Sequence, residues 1–334
     1  MSNLKNILES KNSCKSVWFM RQAGRYLPEF RKIRSENQDF IQLCLNSHLS
    51  SEITLQPIKR FDLDSAIIFS DILIVPWALG QEVKFRKDHG PILEDFSMDI
   101  LLNNNIDEFS KRLKPVYKAI EITRKKLENK KSLISFIGAP WTLLIYMLSL
   151  KKDKVNLDFN KLNNKKFEID KILKELIKYL KIHIINQINA GADVVQIFDS
   201  WAGLIPEEVF EKYCVIPNAK LIDFCKEKRI PNICFPKGIK SKYELFTNRV
   251  KPDGINIDSE INPNWAREKL KNVVIQGGLD PKILLKTEDE ILKGATKYIQ
   301  AFKGLPYVFN LGHGLLPETD PAKVDKLIKF YRNS

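Results

Sequence analysis

The sequence predicts an α/β protein, and most specifically a (β/α)8 barrel of the TIM type. Three observations lead to this fold. Short apolar runs of the kind that form buried strands recur along about 250 residues, amphipathic helical patterns lie between them, and seven or eight such units can be counted. A doubly wound open sheet is the alternative. No predicted strand is followed by G-x-G-x-x-G, which favours the barrel.

The predicted strands are almost continuously apolar rather than alternating, as expected for parallel strands covered on both faces. VWFM at 17–20 is a possible eighth strand, and the sequence alone leaves it open. In chain order the seven runs are SAIIFS (65–70), LISFIG (133–138), DVVQIF (193–198), NICF (232–235), GINI (254–257), NVVIQ (272–276) and YVFNL (307–311).

Helices are predicted by apolar residues that recur every three or four positions, most clearly over 106–127 and 172–188. Thr287 and Glu290 have the spacing of a capping box, and Gly304 is suited to the end of that helix. The chain shows no repeat and no Gly/Ser linker, so 1–334 is predicted to form a single domain. The stretch 150–168, rich in Lys and Asn, is predicted to be a surface loop within it.

The composition indicates a globular protein with a hydrophobic core, because 44% of the 334 residues are hydrophobic and 28% are charged. No apolar stretch reaches the roughly 20 residues of a membrane span, and the first 16 residues lack the apolar core of a signal peptide. The five cysteines form no C-x-x-C pair. We therefore expect a cytoplasmic protein without a disulfide framework and without a membrane partner.

The formal net charge of +13 has three interpretations. Nucleic-acid binding is one, but the lysines are spread along the whole chain and no nucleic-acid-binding module is recognisable. General compositional bias explains such a distribution better. Binding of a polyanionic small molecule is the third, and it requires arginines that converge on one place.

Polar residues follow five of the predicted strands, where a (β/α)8 barrel has its site. They are Asp71, then Thr142 and Tyr146, then Asp199 and Ser200, then the segment GGLDP (277–281), and finally His313. Together they predict a site at the carboxyl ends of the strands.

Each of these residues also has an ordinary structural explanation. Asp71 could cap the following helix, Tyr146 could be a core aromatic residue, and Ser200 could be a turn residue. The segment GGLDP could cradle a phosphate, although a tight turn is the better explanation. His313 lies between two glycines, and a core histidine rarely needs that backbone freedom, so a site role is favoured.

Arg21 and Arg25 lie four residues apart beside several aromatic residues. On a helix they would share a face, but Gly24 makes a loop equally plausible. They form either a solvated basic surface or a clamp for carboxylates, which guanidinium groups bind in bidentate fashion.

Several kinds of chemistry lack their usual motifs. The chain contains no H-E-x-x-H, no C-x-x-C, no G-x-S-x-G and no P-loop. The predicted site consists of arginines, one carboxylate, a tyrosine, a serine and a histidine. No cofactor motif accompanies it.

Six segments resemble the uroporphyrinogen decarboxylase family, in the family's order and at compatible spacing. They are VWFMRQAGRYLPEFRKIR (17–34), TLQPIKRFDLDSAIIFSDIL (54–73), GAPWTLLIYM (138–147), FDSWAG (198–203), GGLDP and NLGHGLLPETDP (310–321). The resemblance implies a distorted, single-domain (β/α)8 barrel that acts as a cytoplasmic homodimer in heme biosynthesis. It implies that four acetate side chains of uroporphyrinogen III lose CO2 to give coproporphyrinogen III, with no cofactor and no metal.

The resemblance also implies which residues do this. Asp71 matches the family's central carboxylate, which accepts the pyrrole N–H groups and stabilises the transition state, and Arg21 and Arg25 are the further catalytic residues. The residues that match the family's substrate contacts are Arg21, Gln22, Ala23, Gly24, Arg25, Asp71, Tyr146, Ser200 and His313.

The alternative within the same superfamily is a zinc- or corrinoid-linked methyltransferase. That branch needs a His-x-Cys pair and a later cysteine, whereas this chain has Asn232 two residues before Cys234 and no cysteine after it. One departure from the decarboxylase pattern is the segment SLKKDK (149–154), which stands where family members often carry a glycine-rich loop.

Overall fold

The computed structural model describes residues 3–86, 90–153, 156–164 and 166–334. Its main sheet has eight strands, all parallel, and Val83–Arg86 and Gly90–Leu93 form a separate antiparallel hairpin. The strands are β1 (Ser16–Val17), β2 (Ser65–Ile67), β3 (Val83–Arg86), β4 (Gly90–Leu93), β5 (Ser132–Gly138), β6 (Val194–Asp199), β7 (Asn232–Pro236), β8 (Gly254–Ile257), β9 (Val274–Gly277) and β10 (Tyr307–Phe309).

The strands of the main sheet follow the order β1-β10-β9-β8-β7-β6-β5-β2, so its two end strands are those that come first along the chain. Side-chain and loop contacts hold these ends together. Val17 N donates to Asp64 Oδ2 at 2.7 Å, Asp64 N donates to Val17 O at 3.0 Å, and Gln22 Nε2 donates to Ser65 O at 2.9 Å. The sheet is therefore a nearly closed barrel. The predicted (β/α)8 fold is confirmed, including the eighth strand that begins the barrel.

The helices lie between the strands in the order that the sequence predicts. They are α1 (Asn3–Ser10), α2 (Pro28–Glu36), α3 (Phe40–Leu45), α4 (Ser47–Arg60), α5 (Ile74–Leu79), α6 (Asp99–Leu102), α7 (Ile106–Lys126), α8 (Pro140–Met147), α9 (Phe159–Asn164), α10 (Lys166–Asn189), α11 (Ile216–Glu227), α12 (Tyr243–Val250), α13 (Pro263–Lys269), α14 (Glu288–Ala301) and α15 (Pro321–Asn333). The capping box of Thr287 and Glu290 is confirmed at the start of α14. None of the helices within the described ranges has the length and apolar character needed to cross a bilayer.

Two elements differ from the sequence prediction. The hairpin of β3 and β4 was not predicted, because VKFR carries two basic residues and GPIL contains Gly and Pro, so neither is a continuous apolar run. The predicted surface loop over 150–168 is wrong in its second part, which contains α9 and the start of α10. Although this segment is rich in Lys and Asn, it contains two apolar residues, Leu157 and Leu162, which are both buried in the core.

The two ends of the barrel are built differently. Leu4, Ile7 and Leu8 of α1 are buried in the cluster that fills the barrel interior. Lys5 N donates to Ser132 Oγ at the start of β5, which places α1 at the amino ends of the strands. Because α1 covers that end, the carboxyl ends of the strands form the open mouth of the barrel.

Candidate active site

Six polar side chains lie directly after strands of the barrel, around its mouth. Arg21 follows β1, Asp71 follows β2, Tyr146 lies in α8 after β5, and Ser200, Lys237 and His313 follow β6, β7 and β10. All six side chains retain some exposure to solvent, in contrast to the buried strands before them. The barrel thus brings together the site that the strand ends predict.

Arg21 has a left-handed backbone conformation, with φ of 60°, which costs a residue with a Cβ about 1–2 kcal/mol. Two glycines make room for it. A Cβ on Gly24 would lie 2.8 Å from the Arg21 carbonyl oxygen, and a Cβ on Gly314 would lie 2.3 Å from Arg21 Cδ. The arginine side chain therefore lies directly on the backbone at Gly314, next to His313. Its surroundings lower the pKa of Arg21, first through desolvation and then through the neighbouring charge of Arg25.

Asp71 accepts one local hydrogen bond and faces the mouth of the barrel. Its Oδ1 accepts from Leu73 N at 2.8 Å, while Oδ2 accepts no hydrogen bond from any described residue. Burial raises the pKa of Asp71 to about 6, although the Leu73 N–H and the charge of Arg21 act in the opposite direction. The carboxylate is thus ionised at neutral pH, and one of its oxygens is available to a ligand.

Tyr146 is supported by a buried carboxylate, Asp199, through Thr142 and Trp201. Asp199 Oδ1 accepts from Thr142 Oγ1 at 2.7 Å, and Thr142 Oγ1 accepts from Trp201 N at 3.1 Å. The Trp201 ring packs edge-on against Tyr146, with centroids 6.0 Å apart. Desolvation raises the pKa of Tyr146, so its hydroxyl stays protonated. Asp199 is 1% exposed and therefore acts on the site through its neighbours.

His313 is held as a neutral imidazole. Its Nδ1 accepts a hydrogen bond from Gly314 N at 2.7 Å, which leaves the proton on Nε2. Burial lowers the pKa of His313 to about 3, and the nearby positive charges of Lys237 and Arg21 act in the same direction. This histidine can donate one hydrogen bond from Nε2, but near neutral pH it does not carry a positive charge.

The arginine segment is a loop, since α2 begins only at Pro28. Arg25 is exposed, and its carbonyl accepts from Arg31 Nη1 at 3.0 Å. Ala23 and Gly24 are half-buried beside it.

Gln22 does not face the mouth with its side chain. Its Oε1 accepts from Phe19 N at 3.0 Å and its Nε2 donates to Ser65 O, and the residue is only 1% exposed. The expected substrate contact of Gln22 is therefore not available to its side chain, which connects the two end strands of the sheet.

The segment GGLDP and the three other histidines of the chain are not part of this group of six side chains. Gly277 and Gly278 have φ of 83° and 100°, so GGLDP begins as the tight turn that the sequence favours. His48 is exposed on α4 and His183 is buried on α10, where its Nδ1 lies 3.1 Å from the Tyr117 hydroxyl. His89 lies outside the described residues.

Asn232 and Cys234, which stand where the methyltransferase branch needs its His-x-Cys pair, also have structural contacts. Asn232 Nδ2 donates to Asp253 Oδ2 at 2.7 Å at the start of β7, and Cys234 is buried in the core. No group of three metal-binding side chains converges within the described ranges.

Of the six side chains around the mouth, Lys237 is the one that was not predicted from the sequence. It directly follows NICFP, so the rule that located the other residues also applies to it.

The fold and the mouth define a (β/α)8-barrel protein with a desolvated carboxylate, Asp71, and the cationic side chains of Arg21 and Lys237 at the carboxyl ends of its strands. The family model described as uroporphyrinogen decarboxylase (URO-D) matches residues 5–334, and the chain belongs to this family. It is 41% identical over 340 residues to "Uroporphyrinogen decarboxylase" of Rickettsia felis, covering 99% of this chain and 97% of the relative. It is 42% identical over 346 residues to the protein of the same name from Rickettsia rickettsii, with the same coverage of both chains.

Solved structures resemble the chain in fold at low sequence identity. A methyltransferase from Methanosarcina mazei superimposes with a TM-score of 0.75 and 16% identity, covering 99% of this chain and 97% of the other. A B12-independent methionine synthase from Shewanella sp. W3-18-1 superimposes with a TM-score of 0.58 and 10% identity, covering 87% and 88%. These likenesses support the barrel fold.

Proposed function

We propose that this protein removes CO2 from the four acetate side chains of uroporphyrinogen III and produces coproporphyrinogen III, as a carboxy-lyase of heme biosynthesis. The observation that carries the proposal is the mouth of the barrel. One desolvated carboxylate, Asp71, is surrounded there by cations in a chain of the decarboxylase family.

The charge pattern of the mouth matches that of the substrate. Uroporphyrinogen has four pyrrole N–H groups that can point inward and eight carboxylates at its rim. Asp71 Oδ2 would accept the N–H groups, while Arg21 and Arg25 would bind carboxylates as guanidinium groups do. Tyr146, Ser200 and His313 would donate hydrogen bonds that hold the reacting side chain. Aromatic and aliphatic surface beside them would hold the ring system.

The reaction needs a temporary acceptor for two electrons. Protonation of a pyrrole α-carbon makes the ring cationic, and the electrons of the breaking C–C bond then enter the ring as CO2 leaves. A proton on the exocyclic carbon completes the methyl group, and the α-carbon returns its proton. One proton thus replaces each CO2.

Asp71 would contribute by stabilising the cationic ring. A preorganised charge of this kind in a site shielded from water accelerates a reaction by roughly 10²–10³-fold. Because its pKa is about 6, Asp71 is ionised at neutral pH and suits this role better than that of an acid. His313, with a pKa of about 3, does not supply an imidazolium proton under the same conditions.

The test is incubation of the purified protein with freshly reduced uroporphyrinogen III, without air, metal or cofactor. The products are then oxidised and separated by carboxylate number. We expect porphyrins with seven, six, five and finally four carboxylates. Unchanged eight-carboxylate material from folded protein would overturn the proposal.

The role of Asp71 is tested in the same assay with Asp71→Asn, which keeps the shape and removes the charge. We expect the variant to fold and to lose at least about 100-fold in turnover. Asp289→Asn is the matched control, because Asp289 is exposed on α14 outside the mouth. Near-normal turnover by Asp71→Asn would exclude the central-carboxylate role.

The resemblance also supports a homodimer in the cytoplasm, which we include in the proposal. Ile216 on α11 and Leu245 on α12 are large apolar side chains that are 43% and 44% exposed, and each would be available to contact a second chain. Sedimentation equilibrium at micromolar concentration would give the mass of two chains. The mass of one chain would contradict the dimer.

A further inference from the structure

Lys237 lies on the side of the mouth opposite the arginine loop. In the cyclic order of the barrel, β7 is four strands from β1 in either direction. Arg21 and Arg25 follow β1 and Lys237 follows β7. The two arginines therefore supply positive charge to one side of the mouth, and Lys237 supplies it to the other.

The backbone of Lys237 is fixed from two sides. Its N–H donates to Asp199 O at 3.1 Å, and its carbonyl accepts from Gly203 N at 2.9 Å. Gly203 and Gly238 pack backbone against backbone, since a Cβ on Gly203 would lie 2.6 Å from Gly238 O. These contacts hold the lysine in place at the end of its strand.

Among the residues that the structure describes, none forms a salt bridge with the ammonium group of Lys237. Lys237 is half-buried, and no described residue places a carboxylate oxygen within 4.0 Å of its Nζ. Asp258 is the carboxylate that acts on it most strongly. The oxygens of Asp258 already accept from Gly238 N at 2.8 Å, Tyr243 OH at 3.1 Å and Glu260 N at 3.1 Å.

The environment of Lys237 favours the binding of an anion. Desolvation lowers its pKa, the charge of Arg21 acts in the same direction, and Asp258 and the exposed Glu260 raise it. The same ammonium group helps to keep His313 neutral. A half-buried cation without a close partner is unfavourable, and an incoming carboxylate would compensate that cost.

We propose that Lys237 binds a carboxylate of the substrate on the side of the mouth opposite Arg21 and Arg25. The inference rests on the proposed decarboxylase function and extends it. The substrate macrocycle, bound with its centre over Asp71, would carry carboxylates all around its rim. Binding groups on one side of the mouth alone would leave the carboxylates on the opposite side without a partner. Lys237 is the cation positioned for that opposite side.

The experiment compares Lys237→Gln and Lys237→Arg with the unmodified protein in steady-state assays of the first CO2 loss. We expect Lys237→Gln to raise KM about tenfold, the usual effect of losing a hydrogen bond between charged groups, with kcat changed less than threefold. Lys237→Arg keeps the charge and should restore KM to within about threefold. The ionic-strength dependence of kcat/KM should become weaker in Lys237→Gln.

Lys297→Gln is the matched control, because Lys297 is exposed on α14 and the change in charge is the same. It should leave KM and the salt dependence unchanged. An unchanged KM in Lys237→Gln would overturn the inference, as would equal loss of kcat in both Lys237 variants. An unmodified protein that releases no CO2 would instead refute the proposed function itself, so the two failures are distinguishable.

Discussion

Replacing Gly314 with alanine should displace Arg21 without unfolding the protein. The new Cβ would lie 2.3 Å from Arg21 Cδ, 2.6 Å from Cγ and 2.9 Å from Nε. Ordinary carbon–carbon contact is about 3.5–4.0 Å, so Cδ must move by about 1.2–1.7 Å. The atoms that must move belong to a flexible side chain rather than to backbone, and the backbone of Gly314 is outside the left-handed region. The cost in stability should therefore be small.

The cost in activity should be large. A displacement of about 1 Å in a positioning group can reduce a rate by about 100-fold, which corresponds to about 2.7 kcal/mol in the activation free energy. We therefore expect Gly314→Ala to lower kcat/KM for uroporphyrinogen III by about 100-fold. Thermal unfolding should occur within about 2 °C of the unmodified protein.

The matched control is Gly294→Ala on α14, where the nearest atom to a new Cβ is Ile283 Cγ1 at 3.3 Å. This control should keep full activity, because the substitution is chemically the same and is remote from the mouth. Folded Gly314→Ala with normal kcat/KM would refute the reasoning. It would show that the position of the Arg21 guanidinium does not matter for catalysis.

Two further predictions follow from Asp71 and Gln22. Because Asp71 must be ionised to accept N–H groups and its pKa is about 6, kcat/KM should fall as the pH drops through 6; a flat profile from pH 5 to pH 7 would contradict its role. Gln22→Ala leaves Phe19 N and Ser65 O without their partners in a buried place, which should cost about 2–4 kcal/mol in urea unfolding. The KM of the folded Gln22→Ala variant should stay unchanged. A selective rise in KM would instead indicate that the Gln22 side chain contacts the substrate.

Much of this fold could be predicted because parallel barrel strands are apolar on both faces. The same topology made the site predictable, since residues directly after strands meet at one end of the barrel. Asp71, Tyr146, Ser200 and His313 were found in this way. Lys237 satisfies the same rule, and the signal for it was present in the sequence.

The direction of a side chain within a loop was not predictable. Gln22 is adjacent to Arg21 in the sequence, yet its side chain enters the protein while Arg21 lies in the mouth. The left-handed backbone of Arg21 separates the two directions, and nothing local in the sequence signals it. The short helix α9 was hidden because its segment is rich in Lys and Asn, although Leu162 within it is buried in the core.

The mouth separates two kinds of charge that would otherwise neutralise each other. Had Arg21 formed a close ion pair with Asp71, the pKa of the carboxyl group would be lowered and both groups would be occupied. Instead the pKa of Asp71 is raised, and across the described ranges the structure shows no salt bridge between the two residues. The carboxylate and the cations are therefore both available to a ligand. A ligand with N–H groups at its centre and carboxylates at its periphery would satisfy both at once, which is the arrangement found in uroporphyrinogen.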